Sequence, residues 1–590
     1  MGHTIYELPL SALASTTINI ETKATIGRYR LIDCSKYVQD HVLCIEEYLD
    51  ISPQPYSAVS YIWKSALTAD SRGPTEQPSF SVIGAEDADP IALDVLQQAC
   101  IVALLEGTEK LWIDRLCIIQ TSSEDKAWQI ARMYQIYKMC RVCIVLPGGL
   151  TRLTSVDEET DWISRAWTLQ EAIVPQKTVV LLSWDHGSGQ WEGWKGGVKG
   201  NVIEILPGSS AIVLLHEMLK ACFYPMSVTF TSSNDSSNCD ISVCNLGSYG
   251  ESSVGALLWV LEVVDPDAKA MAIWQSALLR ASSRPVDMVF SIMGILGVTL
   301  DPRKFHKNDR IGATIALAQE ILRLGGKPAW LAMSLDIPPS RFISSFPDFP
   351  ETNVGGSVSW SSRRGPTNPN VADPIYDING LEYGPPDFDE SISDTRSNVL
   401  LPYHWIMNMP SGTMDDDGYL TMKTKATRAI FTGQTFGRRW TNMASNNDGM
   451  YTDWDKPNDA IRVVGVDGKV WDILNYDESG TTLQPVPGQA YILFIGTACE
   501  FPRDAVYYPD PRPVGGILLP KTSTLRAFTI EEHTPGKFHR VSAFTLDEVL
   551  FKPVIEKWKE HTFAIGGPKT LPSEAHRRYE SRDLLQYDDI

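Results

Sequence analysis

Short apolar runs and helical stripes take turns between residues 28 and 182. After an irregular lead-in over 1–27, Arg28–Asp33 and His41–Glu46 read as short strands forming one antiparallel pair. Tyr56–Trp63 reads as a strand, with Ala58, Ser60 and Ile62 on one face and Ser57, Val59 and Tyr61 on the other. Turn formers fill 68–79. Apolar residues at 91, 95, 96, 99, 102 and 103 predict a helix over 91–105, followed by a short strand over Lys110–Ile113. Ser122 or Ser123 caps the next helix, which runs to Cys140, with Asp125 completing a capping box. Val142–Leu146 is an unbroken apolar run stopped by Pro147, as a strand buried on both faces would be. A helix over Arg165–Val174 ends before Pro175, and Thr178–Leu182 is a further strand. This alternation predicts an α/β fold with a doubly wound parallel sheet, in which ligands bind beyond the carboxyl ends of the strands.

The pattern then changes. Residues 191–336 read as mainly helical, with stripes at about 255–281 and 311–324 and a Ser/Asn-rich loop over 226–254. Between the stripes, Ser283–Gly294 reads as a turn followed by an apolar helix. Residues 337–399 hold Pro, Ser, Asp and Gly without periodicity and read as a linker or large loop. Over 400–570 the pattern is mostly β, with strands at Tyr419–Thr424, Arg462–Val466, Ala490–Ile495, Gly516–Leu519 and Val541–Thr545, and a hairpin turn at Asp467-Gly468. A charged tail, 571–590, completes a division that places an N-terminal segment with short strands at 1–50 and the wound domain at 51–190.

With 590 residues, the chain exceeds what one hydrophobic core holds. Its formal net charge of −20 disfavours nucleic acid or an anionic membrane surface as the main partner. No apolar run reaches membrane-span length, and no secretory signal opens the sequence, so the expected location is cytoplasmic. The ten cysteines accordingly read as reduced thiols, and Cys140 and Cys143 as a buried pair at a helix–strand junction rather than half of a zinc site. No metal site is expected. Dinucleotide, phosphate-loop and nucleophile-elbow motifs are absent.

Candidate chemistry concentrates where polar residues interrupt apolar runs. Asp114, Gln120, Arg165, Gln170 and Glu171 all adjoin such runs, and charge is costly to bury unless paired. Glu171 is the first choice for a catalytic carboxylate and Asp114 the second, with Tyr61, Trp63, Gln120, Arg165 and Trp167 as candidate ligand contacts. Structural roles stay open for each: Trp63 and Trp112 as core aromatics, Asp114 as a helix cap or the partner of an Arg, and Arg165 paired with Glu171 or Asp161.

Three ordered motifs carry a resemblance: Ser60-Tyr61-Ile62-Trp63, the stretch Leu111–Gln120 (LWIDRLCIIQ), and Arg165–Glu171 (RAWTLQE). Together they resemble the fungal heterokaryon-incompatibility (HET) domain, whose elements read S-Y-x-W-G, L-W-I-D-x-x-C-I-[ND]-Q and R-x-W-T-x-Q-E. Arg284–Phe290 also resembles an R-x-x-D-x-V-F element that often follows that domain. Two positions depart: Lys64 stands in place of Gly, and Ile119 in place of Asn or Asp.

The HET family is in turn distantly similar to Toll/interleukin-1 receptor (TIR) domains. Those have a flavodoxin-like fold, and some hydrolyse NAD with a Glu in a W-C-x-x-E pattern. Trp167–Glu171 has that spacing. The resemblance implies an effector of self/non-self recognition and programmed cell death, with NAD+ as a substrate and no cofactor required. It implies self-association, or another incompatibility protein, as the partner. A non-enzymatic module that signals by self-association is the competing expectation.

Overall fold

In the computed structural model the described residues are 2–64, 77–193, 197–223, 227–233, 238–247, 252–333, 339–347, 349, 351–352, 358–359, 375–376, 382–383, 404–435, 461–465, 467–473, 490–500 and 523–567. They fall into two compact units. Unit 1 comprises Met1–Glu262, Arg280–His306 and Thr352–Ser357, and unit 2 comprises Val263–Leu279, Lys307–Glu351 and Val358–Ile590.

Unit 1 is a mixed α/β body. Its strands are β1 (His3–Pro9), β2 (Thr17–Ile18), β3 (Tyr29–Asp33), β4 (Val42–Tyr48), β5 (Tyr56–Tyr61), β6 (Ser79–Val82), β7 (Ile91–Ala92), β8 (Lys110–Trp112), β9 (Val142–Leu146), β10 (Thr178–Ser183), β11 (Gly189–Gly193), β12 (Val198–Leu206), β13 (Ser210–Leu214), β14 (Val228–Ser232) and β15 (Asn238–Ile241). Its helices are α1 (Leu10–Leu13), α2 (Leu93–Leu105), α3 (Asp114–Cys117), α4 (Ser123–Ile130), α5 (Met133–Met139), α6 (Ala166–Ile173), α7 (Leu215–Phe223) and α8 (Ser252–Glu262). After α9 (Pro266–Leu278) of unit 2, α10 (Asp287–Met293) returns to unit 1.

Twelve strands form one sheet in the order β1-β4-β3-β8-β5-β9-β10-β13-β12-β11-β14-β15. Its centre is parallel: β5 pairs with β8 and β9, and β9 pairs with β10. Antiparallel strands flank that centre on both sides. All six residues of β5 and all five of β9 are buried, as expected of strands covered on both faces. Trp112 and Trp162 are wholly buried, and Trp112 meets Tyr137 edge-to-face at 5.6 Å.

A buried ionic knot ties the Leu111–Gln120 stretch to β3. Arg30 bonds Asp125 Oδ2 through Nη1 (2.9 Å) and the Cys117 carbonyl (3.0 Å), while Glu47 lies 3.5 Å from its Nε. Asp125 also accepts from the Ile119 and Gly27 amides. Opposite charges, with hydrogen bonds to Arg30 Nη1 and to both Asp125 oxygens, make burial tolerable here, although Arg30 Nε itself makes no hydrogen bond.

Several expectations are corrected. The lead-in is not irregular, because β1 pairs antiparallel with β4 at the sheet edge. Ser122 caps α4 by accepting from the Asp125 amide, yet Asp125 turns its carboxylate to Arg30 rather than back to the cap, so the capping box is half made. The helix expected to reach Cys140 breaks at Arg132 into α4 and α5. The segment read as mainly helical begins with β11, β12 and β13, and the Ser/Asn-rich stretch contains the antiparallel pair β14–β15. Cys140 and Cys143 are buried free thiols at the α5–β9 junction.

Unit 2 is β-rich. Leu420–Thr435 pairs with Lys559–Ile565 and with Ala490–Glu500, which continues through Ser523–Thr534 and Lys537–Asp547 back to Lys559–Ile565. These strands join into a ring, in which Lys537–Asp547 and Lys559–Ile565 meet over two residue pairs. Gly468, at φ +78°, turns the Ile461–Val464/Lys469–Ile473 hairpin. Trp330 stacks on Phe346 at 4.9 Å beside Trp274. The expected strand at 516–519, the tail and most of 337–399 lie outside the described residues. No helix among the described residues is long and apolar enough to cross a membrane.

Candidate functional site

The three sequence motifs meet at the carboxyl ends of the parallel strands. Asp114 lies two residues beyond the end of β8 and opens α3. Tyr61 ends β5, and Trp63 lies two residues beyond. Three neighbours hold Asp114: Tyr61 Oη donates to Oδ1, Trp63 Nε1 donates to Oδ2 over 2.6 Å, and the Arg115 amide donates to Oδ1 over 2.7 Å. Its carbonyl accepts from Gln120 Nε2 at 2.8 Å, so Gln120 holds backbone here. The Arg115 guanidinium lies 5.3 Å from the Tyr61 ring centre and bonds the Asp89 carbonyl. Burial and the Asp114 charge push the Tyr61 hydroxyl well above its ordinary range, so it stays a donor.

Glu171 lies on α6. Ser60 Oγ, next to Tyr61 in β5, donates to Glu171 Oε2 at 2.5 Å, and Trp162 Nε1 donates to the same Ser60 oxygen at 2.9 Å. Part of the Glu171 side chain still meets solvent. Burial nevertheless raises its carboxyl from 4.5 to about 7. Ser60 opposes that rise, the Asp114 charge adds to it, and Arg165 and Tyr137 hold it back. A carboxyl of this kind switches charge near neutral pH, which suits acid–base or electrostatic chemistry.

Arg165 immediately precedes α6. It forms no ion pair with Glu171 or Asp161 among the described residues, although its charge acts on both. Trp167, half-buried, lies on the first turn of α6. Beside it stands Asp287, the first residue of α10, which packs against α6. Burial raises the Asp287 carboxyl to about 6, against the pull of Trp167, Arg284 and Arg165.

All seven candidate residues belong to unit 1, and the structure joins Asp114 to Tyr61, Trp63 and Gln120, and Glu171 to Ser60. Sequence reasoning assigned no role to Ser60, Tyr137, Asp287 or Arg280. Ser60 and Asp287 lie inside quoted motifs, which was the available signal; Tyr137 and Arg280 gave none beyond their place in helical stripes.

Residues 56–154 match the family model for the heterokaryon incompatibility protein (HET). The HET match covers β5, β8, β9 and Asp114, while α6 with Glu171 and α10 with Asp287 lie beyond its end. No curated protein and no solved structure matches the chain significantly. The HET segment points to a heterokaryon-incompatibility-type role.

Proposed function

We propose that the HET-bearing unit cleaves the nicotinamide–ribose bond of NAD+, with Glu171 as the acting carboxylate. The observation that carries this reading is the Ser60–Glu171 contact, which holds a partly accessible, desolvated carboxyl beside the carboxyl end of β5. The parallel strands run β8-β5-β9-β10, a 2-1-3-4 order in chain sequence. That order supports a flavodoxin-like reading, in which ligands sit beyond the carboxyl ends near the central strands.

The chemistry asks little of the protein. The C–N bond breaks with its electron pair passing to the pyridine nitrogen, so nicotinamide leaves neutral. Water then adds to the ribose carbon and releases one proton. Positive charge grows on the ribose as the bond lengthens, and an ionised carboxylate nearby stabilises it. Glu171 supplies that charge once ionised, and the cationic substrate favours its ionised form. Trp167, one helical turn earlier on α6, supplies a flat wall for the leaving ring. Asp114, which accepts from Tyr61, Trp63 and the Arg115 amide, positions those aromatics and takes no chemical step in this reading.

The test is NAD+ consumption by the purified full chain, with Glu171→Gln and Glu171→Ala alongside and folding checked by thermal melting. Turnover lost in both folded variants supports the reading. Absence of turnover in folded, concentrated wild type rejects it and leaves the self-associating module as the reading to pursue.

A further inference from the structure

We infer that Arg280 is a positioning residue for Glu171, acting through Thr168, Trp162 and Ser60. This rests on the reading of Glu171 as the acting carboxylate. Arg280 is only 1% exposed and lies far beyond the end of the family match at 154. It is also the residue at which the chain rejoins unit 1 after the Val263–Leu279 segment.

The links are all hydrogen bonds. Arg280 Nη1 donates to Thr168 Oγ1 at 2.7 Å and to the Arg165 carbonyl at 3.0 Å. Thr168 Oγ1 in turn donates to the Trp162 carbonyl at 2.9 Å and to the Arg165 carbonyl at 2.8 Å. Trp162 Nε1 donates to Ser60 Oγ, and Ser60 Oγ donates to Glu171 Oε2. Backbone bonds reinforce the joint, from the Ala166 amide to the Ala281 carbonyl (2.9 Å) and from the Ala281 amide to the Ser164 carbonyl (2.7 Å). Residues 280–281 therefore pin the start of α6, and the helix carries that constraint one turn on to Glu171.

Charge gives the link a direction. A buried guanidinium favours a neighbouring carboxylate in its ionised form. Burial pushes Arg280 down to about 9 while Glu171 pulls it back up, so the two groups feel each other. The other titratable groups facing Glu171 are Asp114, Arg165, Tyr137 and Cys143. Asp114 opposes ionisation, Arg165 and Tyr137 favour it, and the Glu171 charge in turn acts on Arg280, which holds Thr168 on the first turn of α6.

The experiment compares Arg280→Met, Arg280→Lys and Thr168→Val in the full chain. The midpoint of Glu171 is read from infrared carboxylate difference spectra, each protein against its own Glu171→Gln partner. Arg280→Met is expected to move the midpoint up by about one pH unit, and Arg280→Lys and Thr168→Val by roughly half that. The pH profile of NAD+ turnover shifts with it, with kcat lowered and KM nearly unchanged. An unmoved midpoint in folded Arg280→Met overturns the inference. Should that variant misfold, an unmoved midpoint in both other variants overturns it equally. A midpoint that shifts in the variants while wild type shows no NAD+ turnover rejects the hydrolase reading alone and leaves the coupling standing.

Discussion

Ser60 and Glu171 stand 111 residues apart in the chain, and the hydroxyl of one is the hydrogen-bond donor to the carboxyl of the other at 2.5 Å. Removing that hydroxyl has two effects. Ser60→Ala takes away a bond that favours ionised Glu171, so the Glu171 midpoint rises above about 7. It also leaves the Trp162 indole N–H, buried in the core, without its acceptor. A loss of about 1–3 kcal/mol in urea unfolding is expected. Unchanged stability together with an unchanged midpoint contradicts this account.

Asp114→Asn tests the aromatic anchor. The substitution turns one acceptor oxygen into a donor facing Tyr61 Oη or Trp63 Nε1. Tyr61 and Trp63 then lose their fixed orientation, at a cost of roughly 1–3 kcal/mol. Acrylamide quenching of tryptophan emission should increase, and Trp63→Phe in the same background should remove that increase.

Cutting the Arg30–Asp125 pair should cost far more than either change at the site. Both side chains are 0% exposed, so Asp125→Asn leaves a buried guanidinium with only the more distant Glu47 as counter-charge. A destabilisation of about 3–5 kcal/mol is expected by denaturant titration. A value below one surface ion pair, about 1 kcal/mol, would show that the knot is looser than its geometry.

The pH dependence of stability follows from Glu171 and Asp287. Folding raises Glu171 from 4.5 to about 7 and Asp287 from 3.8 to about 6. Between those limits the folded chain binds more protons than the unfolded one, so stability falls as pH rises. Their contribution is greatest below about pH 4 and is gone above about pH 7. Melting temperatures measured from pH 5 to 8 should decline on this account, and Glu171→Gln should flatten the upper part of that decline. A wild-type slope retained in Glu171→Gln assigns it to other groups.

The parallel centre was legible because its strands announce themselves. Val142–Leu146 is apolar throughout, and the Leu111–Gln120 stretch puts Asp114 one residue past a buried run. Local patterns carried the helices well where one face was apolar, as in Leu93–Leu105. The N-terminal strand was missed because β1 mixes exposed, half-buried and buried positions without strict alternation. The pairing of Ser60 with Glu171 and of Arg280 with Thr168 was invisible for a different reason. Both join segments distant in sequence, and no local periodicity encodes which distant hydroxyl a carboxyl or guanidinium meets. Asp114 was read as a second carboxylate for chemistry, a helix cap or an Arg partner; its contacts with two aromatic donors depend on where β5 ends relative to β8 and were not legible.

Nine cysteines of unit 1 are free thiols, seven of them buried. Burial drives Cys117 and Cys140 up to about 12, so neither presents a thiolate while folded. An alkylating reagent added to the native chain therefore reaches them only when their surroundings open. The remaining cysteine of the ten, Cys499, belongs to a unit 2 strand, and its labelled peptide is read separately. Unit 1 then acts as its own stopwatch: the order in which Cys34, Cys100, Cys117, Cys143 and Cys222 acquire label, resolved by peptide mass, reports which part of the sheet lets go first.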